Sequence, residues 1–424
     1  MSERYDAVVV GASLAGCSAA TLLARRGARV ALIERRPNLT DYKRTCTHFI
    51  QASATPTIQR LGLAERIEAA GGLRNGLELW TRYGWIRPRL DEASPYPAYG
   101  YSIRREKLDP IVRELAADAG AELLLGQTAV DLVRANGRID GAVVEGRDRE
   151  RRELRARIVV AADGRGSRIA KLAGVPGRIR PHNRFAYFAY FRDLPARSGS
   201  HAMLWFLDPD GCAVFPNDNG VTLIAAMPTR DKLPEFKRDP EAAVLRYYTQ
   251  LPDAPDPRTG TRISPWIGKI DVPNVSRPAA RPGIAFVGDA AMASDPLWGV
   301  GCGFALQSGE WLAEAIGDAL VDDDDLNPAL DRYRRHHRRM LAAHHWMMCD
   351  YATGRPFSPV EKLLFSSAAR DDETARLFHA IGSRSVPFQD RVNARLLARA
   401  LRVAVTSRGR SPARVRPAVR ALPG

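Results

Sequence analysis

Three short segments carry residue types at spacings that could hold a dinucleotide. The first, Gly11-Ala12-Ser13-Leu14-Ala15-Gly16, departs from G-x-G-x-x-G only at Ser13, which stands at the middle glycine. Gly11 permits a tight turn, Gly16 permits helix–strand contact, and the amide N–H groups of the helix start can face a pyrophosphate. Glu34 follows 18 residues after Gly16, about where an acidic side chain grips ribose hydroxyls in such a unit. The second segment, Asp163-Gly164-Arg165-Gly166-Ser167, ends the apolar run Ile158–Ala162. The third, Gly288-Asp289-Ala290-Ala291, ends Gly283–Val287 and leads into Asp295-Pro296-Leu297-Trp298-Gly299-Val300-Gly301-Cys302-Gly303. Each alone is a commonplace turn. Together, three turns that each end a buried strand predict one cofactor site at the carboxyl ends of parallel strands.

The elements that must position these turns can be read from periodicity. Tyr5–Val10 reads as a strand, Ala15–Arg26 as a helix closed by Gly27, and Arg29–Glu34 as a second buried strand, which makes a βαβ unit. Residues 101–126 give an amphipathic helix with Leu108, Ile111, Val112, Leu115, Ala116 and Ala119 on one side, stopped by Gly120 and followed by the strand Ala121–Leu125. Residues 128–162 alternate as a strand meander with Asn136-Gly137 as a hairpin turn. Between 176 and 275 prolines, aromatics and short strands (Ala202–Leu207, Cys212–Phe215, Val221–Ala226) predict a second, largely antiparallel region. Phe304–Leu320 reads as a helix stopped by Asp322–Asp325; residues 329–424 read as mostly helical, with Ser411–Gly424 frayed.

At 45% hydrophobic and 26% charged residues, the 424-residue chain is of ordinary globular composition, which excludes a collagen-like, coiled-coil or wholly disordered protein. Five cysteines without a C-x-x-C pair form neither a disulfide framework nor a zinc ribbon and suggest a reducing compartment. The uncharged stretch from Ala7 to Ala24 has the length of a membrane span, but it divides into a β-branched run and a small-residue segment, and Met1–Asp6 has no net positive charge. The chain is therefore expected to be cytoplasmic.

Most of the net charge of +15 lies in residues 326–424, which hold 19 Lys and Arg against 7 Asp and Glu. The excess of 56 arginines over 7 lysines reads as a compositional bias, and no nucleic-acid partner is expected. In 391–402, Arg391, Arg395, Arg399 and Arg402 share one helix face, with Val392, Leu396, Leu397 and Ala400 towards another. Such a face is most simply solvated, and its sharper reading is docking to an acidic carrier protein or an anionic membrane surface. His336, His337, His344 and His345 lack an i+4 partner between the pairs and read as a helix face, so no metal is expected.

The ordered motifs resemble the FAD-dependent monooxygenases of the para-hydroxybenzoate hydroxylase type and their relatives, the geranylgeranyl reductases and flavin-dependent halogenases. The resemblance spans roughly residues 1–325 and adds an R-x-x-L segment at Arg105-Glu106-Lys107-Leu108. It implies an α/β fold: a Rossmann-type FAD-binding domain from 1–75, 101–175 and 276–325, a mixed or antiparallel sheet substrate domain from 76–100 and 176–275, and a basic C-terminal helical segment, 326–424. It also implies a cofactor-binding set of Gly11, Ser13, Ala15, Gly16, Glu34, Arg35, Arg44, Arg105, Asp163, Gly288, Asp289, Pro296, Gly299, Gly301 and Cys302. Within this set Glu34 would bind the adenosine ribose, Arg105 and Arg44 the flavin nucleotide, and Asp289 the ribityl chain, with Asp163 behind the pyrophosphate or a transient NADPH or NADH. The helix start after Gly303 would face the flavin's pyrimidine edge, where negative charge collects on reduction. Cys302 is otherwise a small thiol among glycines and reads as filler.

His48, after Cys46-Thr47, is the titratable candidate for substrate contact. Trp80, Tyr83, Trp85, Trp205, Phe206 and Phe215 fall in the substrate layer, mostly as core. The family pattern has three departures here: Ser13 for glycine, Met292 for a histidine and Ala170 for an arginine. None removes an acid or base, because the flavin carries the hard chemistry.

The expected activity is an FAD-dependent monooxygenase that uses O2 and a transiently bound NADPH or NADH, since a single dinucleotide fingerprint is present, on an aromatic or alkene small molecule of secondary-metabolite type. The alternative is a reductase or dehydrogenase of a polyprenyl or polyketide-type substrate. A halogenase lacks its W-x-W-x-I-P block, and a non-catalytic docking protein stands last.

Overall fold

The computed structural model describes residues 3–89, 94–388 and 390–406; the expected frayed end, Ser411–Gly424, lies outside them. The strands of the first sheet are β1 (Glu3–Val10), β2 (Val30–Glu34), β3 (Glu122–Leu125), β4 (Thr128–Ala135), β5 (Arg138–Glu145), β6 (Arg151–Ala161) and β7 (Ile284–Phe286), with the short Ala280–Arg281 beside β7. The parallel core runs β7-β6-β1-β2-β3. Residues of β1 alternate between two cores, Ala7 and Val9 on one face and Val8 and Val10 on the other. Both faces are covered, as a parallel sheet requires.

β6 does two jobs along its length. Arg151–Arg155 pair antiparallel with β5, and Ile158–Ala161 run parallel between β1 and β7. The expected hairpin joins β4 and β5, with positive φ at Asn136 (50°) and Gly137 (75°), the signature of a type I′ turn.

Helix α1 (Leu14–Ala24) crosses this sheet and packs against α2 (Arg105–Asp118) and α3 (Gly301–Val321). Glycine makes the α1–α3 approach possible, because a Cβ at Gly309 would lie 2.5 Å from the Ala15 carbonyl oxygen. The span-length uncharged stretch is thus strand, turn and helix, and among the described residues no helix is long and apolar enough to cross a membrane.

The second sheet has the order Thr261–Arg262, Ala186–Arg192, Val221–Met227, Gly211–Pro216, Ala202–Phe206, Leu77–Thr81, Gly84–Ile86. Its pairings are antiparallel except for Ala202–Phe206 with Leu77–Thr81. One face buries Trp80, Trp205, Phe236 and Tyr248, and the other buries Leu79, Ile86, Leu204, Phe206 and Phe215.

The second of these faces is covered by the C-terminal segment, which contributes Tyr351, Phe357 and Phe365 to the same core. That segment folds as α4 (Leu326–Tyr351), α5 (Pro359–Ala368), α6 (Asp372–Gly382) and α7 (Arg391–Thr406). Two expectations for α7 need correction. Leu397 is 43% exposed, because only Val392, Leu396, Ala400 and Val403 turn inward. Arg399 is not simply solvated: it donates to both carboxylate oxygens of Asp371 at 2.7 and 3.0 Å, and Asp371 in turn caps α6 through the Thr374 N–H.

Candidate cofactor and substrate site

The carboxyl ends of β1, β6 and β7 lie side by side, with Val10 opposite Ala161 and Ala161 opposite Phe286. The three expected turns therefore converge. Gly11 has φ +112°, and a Cβ there would meet the Ala162 oxygen at 2.5 Å; a Cβ at Gly16 would lie 1.9 Å from the Gly11 oxygen. Gly288, φ +56°, packs on the start of α1, where a Cβ would approach the Ala15 Cβ to 2.8 Å. Its N–H donates to Ser308 Oγ at 2.8 Å.

Ser13 precedes α1 without capping it. The N–H groups of the first helical turn have no intrahelical acceptors, so they are available to an anion. The Ser13 hydroxyl accepts from Arg105 Nη2 at 2.7 Å, which gives the departure from glycine a structural role. Arg105 is buried and donates through Nε to Asp109 Oδ1 at 2.8 Å. Burial is the largest single influence and works against its charge, but the Asp109 carboxylate together with Cys46 and Cys302 outweighs it and holds the guanidinium above its ordinary range.

Glu34 is buried, and its two carboxylate oxygens accept the N–H groups of Ala12 (3.2 Å) and Arg36 (3.0 Å). It secures the fingerprint turn as well as ending β2. Arg35 and Arg44 are exposed. Asp163 accepts from Ser167 Oγ at 2.6 Å and from the Ile169 N–H at 3.0 Å, so it builds its own turn. Asp289 is partly open, with its carboxylate 3.8 Å from Lys43 Nζ. Asp295 is buried; it accepts from the Leu297 N–H at 2.8 Å and lies 3.0 Å from His182 Nε2, which anchors the turn Pro296–Trp298 ending in Gly299, φ +61°.

His48 is buried in the left-handed region, φ +64°. Its Nδ1 accepts the Arg105 N–H at 3.0 Å, so the neutral ring carries its proton on Nε2 and donates to Tyr190 Oη at 2.6 Å. Tyr190 Oη in turn donates to the Cys46 carbonyl at 3.2 Å. The expected substrate-contact residue is therefore the centre of a closed hydrogen-bond chain that ties the 46–48 loop to α2 and the second sheet.

Sequence reasoning missed three features. Arg113 is buried and donates to the carbonyls of Ala12 (2.9 Å), Leu39 (2.7 Å) and Asp41, joining the fingerprint to the loop after β2. Its spacing of four from Asp109 and eight from Arg105 on one helix face was the available signal. Second, Cys302 is not isolated among glycines: its Sγ lies 3.7 Å from Cys46 Sγ. The hydrogen bond between the two thiols pushes Cys46 below and Cys302 above the ordinary thiol range, with burial adding to the rise at Cys302. Third, the apolar cavity beside Trp298 is walled partly by α6. Its enclosed volume is about 40 Å³, lined by Leu77, Leu79, Ile86, Leu204, Phe206 and Leu297 from the sheet side, and by Phe378, His379, Gly382 and Ser383 from the C-terminal segment. Of the six aromatics assigned to the substrate layer, only Phe206 lines it.

These residues fit FAD. The glycine cradle at 11 and 16 has no room for a side chain, whereas a Cβ at Gly301, in the first turn of α3, would meet nothing within 4 Å. The start of α3 also has no side-chain cap, leaving its first N–H groups to a ligand with negative charge. Two curated relatives are a digeranylgeranylglycerophospholipid reductase of Thermoplasma acidophilum, 26% identical over 345 residues (78% of this chain, 83% of that protein), and a menaquinone reductase of Mycolicibacterium smegmatis, 28% identical over 346 residues (76% and 79%). Among solved structures, a flavoprotein/dehydrogenase from Cytophaga hutchinsonii superposes with a TM-score of 0.81 at 16% identity (96% and 100% covered), and the flavin-dependent brominase Bmp2 with 0.78 at 16% (95% and 98%). Residues 4–347 match the family model described as FAD binding domain. With its glycine cradle, parallel-strand turns and two uncapped helix starts inside that matched range, the chain belongs to this FAD-binding family and is an FAD-dependent oxidoreductase.

Proposed function

We propose that the protein is a reductase that saturates a carbon–carbon double bond of an elongated apolar substrate of polyprenyl type, with NADPH or NADH as the source of electrons. The observation that carries this reading is the cavity: its walls are aliphatic and aromatic, and its side-chain polar groups are Gln51, Trp298, His379 and Ser383. The curated relatives named above are described as a digeranylgeranylglycerophospholipid reductase and a menaquinone reductase, which supports this reading over the monooxygenase expected from the sequence.

When bound, FAD supplies the hydride. The chain's own part is to offer the substrate the apolar surface formed by α6 and the sheet face, which excludes water, and to hold a proton. The Cys46–Cys302 pair, at the first turn of α3, is the group we assign to that proton.

The same reading gives α7 a role. Leu397, Leu401 and Val405 are exposed at 43, 51 and 64% and follow one another at four-residue spacing, beside exposed Arg391, Arg395 and Arg402. An apolar stripe edged by arginines suits an anionic membrane surface, where prenyl substrates reside.

The test is anaerobic. The flavin is reduced with dithionite, excess reductant is removed, and geranylgeraniol or a menaquinone is added. A reductase of the proposed kind re-oxidises the flavin without oxygen and returns a product that has gained two hydrogens at a carbon–carbon double bond, which for menaquinone is distinguished from the hydroquinone by re-oxidising the ring in air before mass analysis. If re-oxidation needs oxygen and the product gains an oxygen atom, the protein is a monooxygenase.

A further inference from the structure

Arg384 is a buried cation that the reading above leaves unused. It follows α6 directly, with φ +63°. The bonds Arg384 N–H to Ile381 carbonyl (3.0 Å) and Ser385 N–H to Ala380 carbonyl (2.9 Å) close the helix in a Schellman motif, whose left-handed position favours glycine. A glycine would make this turn at lower cost, so the turn itself does not account for the arginine.

The side chain is 3% exposed. Its guanidinium carbon stands 3.8 Å from the centre of the Phe304 ring, in the first turn of α3. Its contacts are long and go to neutral oxygens: Gln307 Oε1 at 3.2 Å, the Val300 carbonyl at 3.4 Å and Gln51 Oε1 at 3.5 Å. Nε is buried without a partner, and so is Nε1 of Trp298, whose carbonyl accepts from Gln51 Nε2 at 2.8 Å. Gln51 thus links Arg384 to the Trp298 backbone, and each of these two residues holds an unused side-chain N–H.

No ion pair reaches Arg384 among the described residues, and burial alone drives its pKa down. The start of α3, against which its guanidinium packs, is itself positive, whereas the α6 C-terminus that it follows is negative. A cation buried there without an anion is costly.

We propose that Arg384, with the Trp298 indole N–H, forms an anion-binding site at the start of α3 that receives either the negative charge of the reduced flavin's pyrimidine edge or the anionic head of an apolar substrate. This rests on the assignment of α3 to the flavin site, not on which bond the enzyme reduces, so failure of the alkene-reduction test leaves it standing.

The experiment uses full-length holoprotein with Arg384→Gly, which relieves the backbone strain, Arg384→Gln as a second neutral variant, and Arg384→Lys as the charge-retaining rescue. Sulfite probes the flavin arm, because its reversible addition to oxidised flavin leaves negative charge on the pyrimidine edge. If the flavin is the anion, both neutral variants weaken sulfite binding about tenfold or more, and Lys restores most of it. Dodecanoate and dodecanol, followed by their perturbation of flavin absorbance, probe the substrate arm. If a substrate head is the anion, wild type prefers the acid by about tenfold and the neutral variants lose the preference.

Thermal unfolding of FAD-stripped protein separates these from a scaffold role. An anion site predicts that Arg384→Gly is as stable as wild type or more so. The proposal is overturned if the neutral variants keep sulfite affinity and acid preference within about threefold of wild type, or if Arg384→Gly destabilises the stripped and loaded forms equally.

Discussion

Replacing Gly16 by alanine adds one methyl group where α1 and the β1 turn are in closest contact. The new Cβ would sit 1.9 Å from the Gly11 oxygen and 3.1 Å from the Ala162 Cβ. To restore ordinary contact the start of α1 must retreat by about 1.5 Å. An N–H to phosphate bond near 2.9 Å would then stretch well beyond about 3.5 Å and be lost. Each such bond to a charged oxygen contributes about 1.5–3 kcal/mol. Losing two costs about 3–6 kcal/mol, or roughly 10²- to 10⁴-fold in FAD affinity. Strain in the sheet–helix packing adds about 1–3 kcal/mol of destabilisation. The assay is fluorescence titration of stripped protein with FAD, together with its thermal midpoint. Gly166→Ala is the control, because a Cβ there meets nothing within 4 Å; it should bind FAD as wild type does. If Gly16→Ala bound FAD within about threefold of wild type at an unchanged midpoint, the account of this turn as a pyrophosphate cradle would be wrong.

Gly301→Val should separate folding from binding: with open space at this position, the stripped protein keeps its midpoint within about 2 °C while FAD affinity falls, and an unchanged affinity would remove Gly301 from the cofactor site. Acid should loosen α4. His337, His344 and His345 are buried, and burial lowers each to a pKa of about 4, so the folded state keeps them neutral while the unfolded chain protonates near pH 6.5. Their contribution is complete above about pH 6.5 and is lost as pH falls towards 4, by up to about 3 kcal/mol each; the urea midpoint should drop between pH 7 and pH 5, and less so in His345→Gln. Changing Leu397 and Leu401 to Gln should reduce flotation of the protein with vesicles of equal phosphatidylglycerol and phosphatidylcholine by about tenfold, with flavin content unchanged; equal flotation would remove α7 from any membrane contact.

The parts of the fold that were legible in the sequence are those whose physics is local. The βαβ unit follows from a β-branched run, two glycines and a helix-forming segment, all within 34 residues, and the β4–β5 turn follows from the tolerance of Asn136 and Gly137 for positive φ. The convergence of three turns was also readable, because a strand that ends in glycine and aspartate leaves its chemistry at the carboxyl edge whichever strand lies beside it. Amphipathicity, by contrast, says only that a helix packs. It placed α7 correctly as a helix but put Leu397 on the wrong side, because the buried stripe of α7 is narrower than its apolar content.

What the sequence concealed is chemistry assembled from distant segments, each ordinary in its own context. Cys46 and Cys302 are 256 residues apart and meet only because the loop after β2 and the start of α3 both face the same sheet edge. Arg384 lies in a segment so rich in arginine that one more carries no signal, yet it differs from Arg391, Arg395 and Arg402 in being buried without a countercharge. The basic character of the C-terminal segment points towards solvent and docking, whereas α6 turns Phe378 and His379 inward to wall the cavity. That inversion follows from the second sheet. A mixed sheet with large apolar residues on both faces needs cover on both, residues 233–248 cover one with Phe236 and Tyr248, and the C-terminal helices are the part of the chain left to cover the other. The segment that looks most like an appendage is therefore the one that walls the apolar cavity, and if that cavity takes the substrate as proposed, substitutions along the inner face of α6 should alter substrate choice before they alter the binding of FAD.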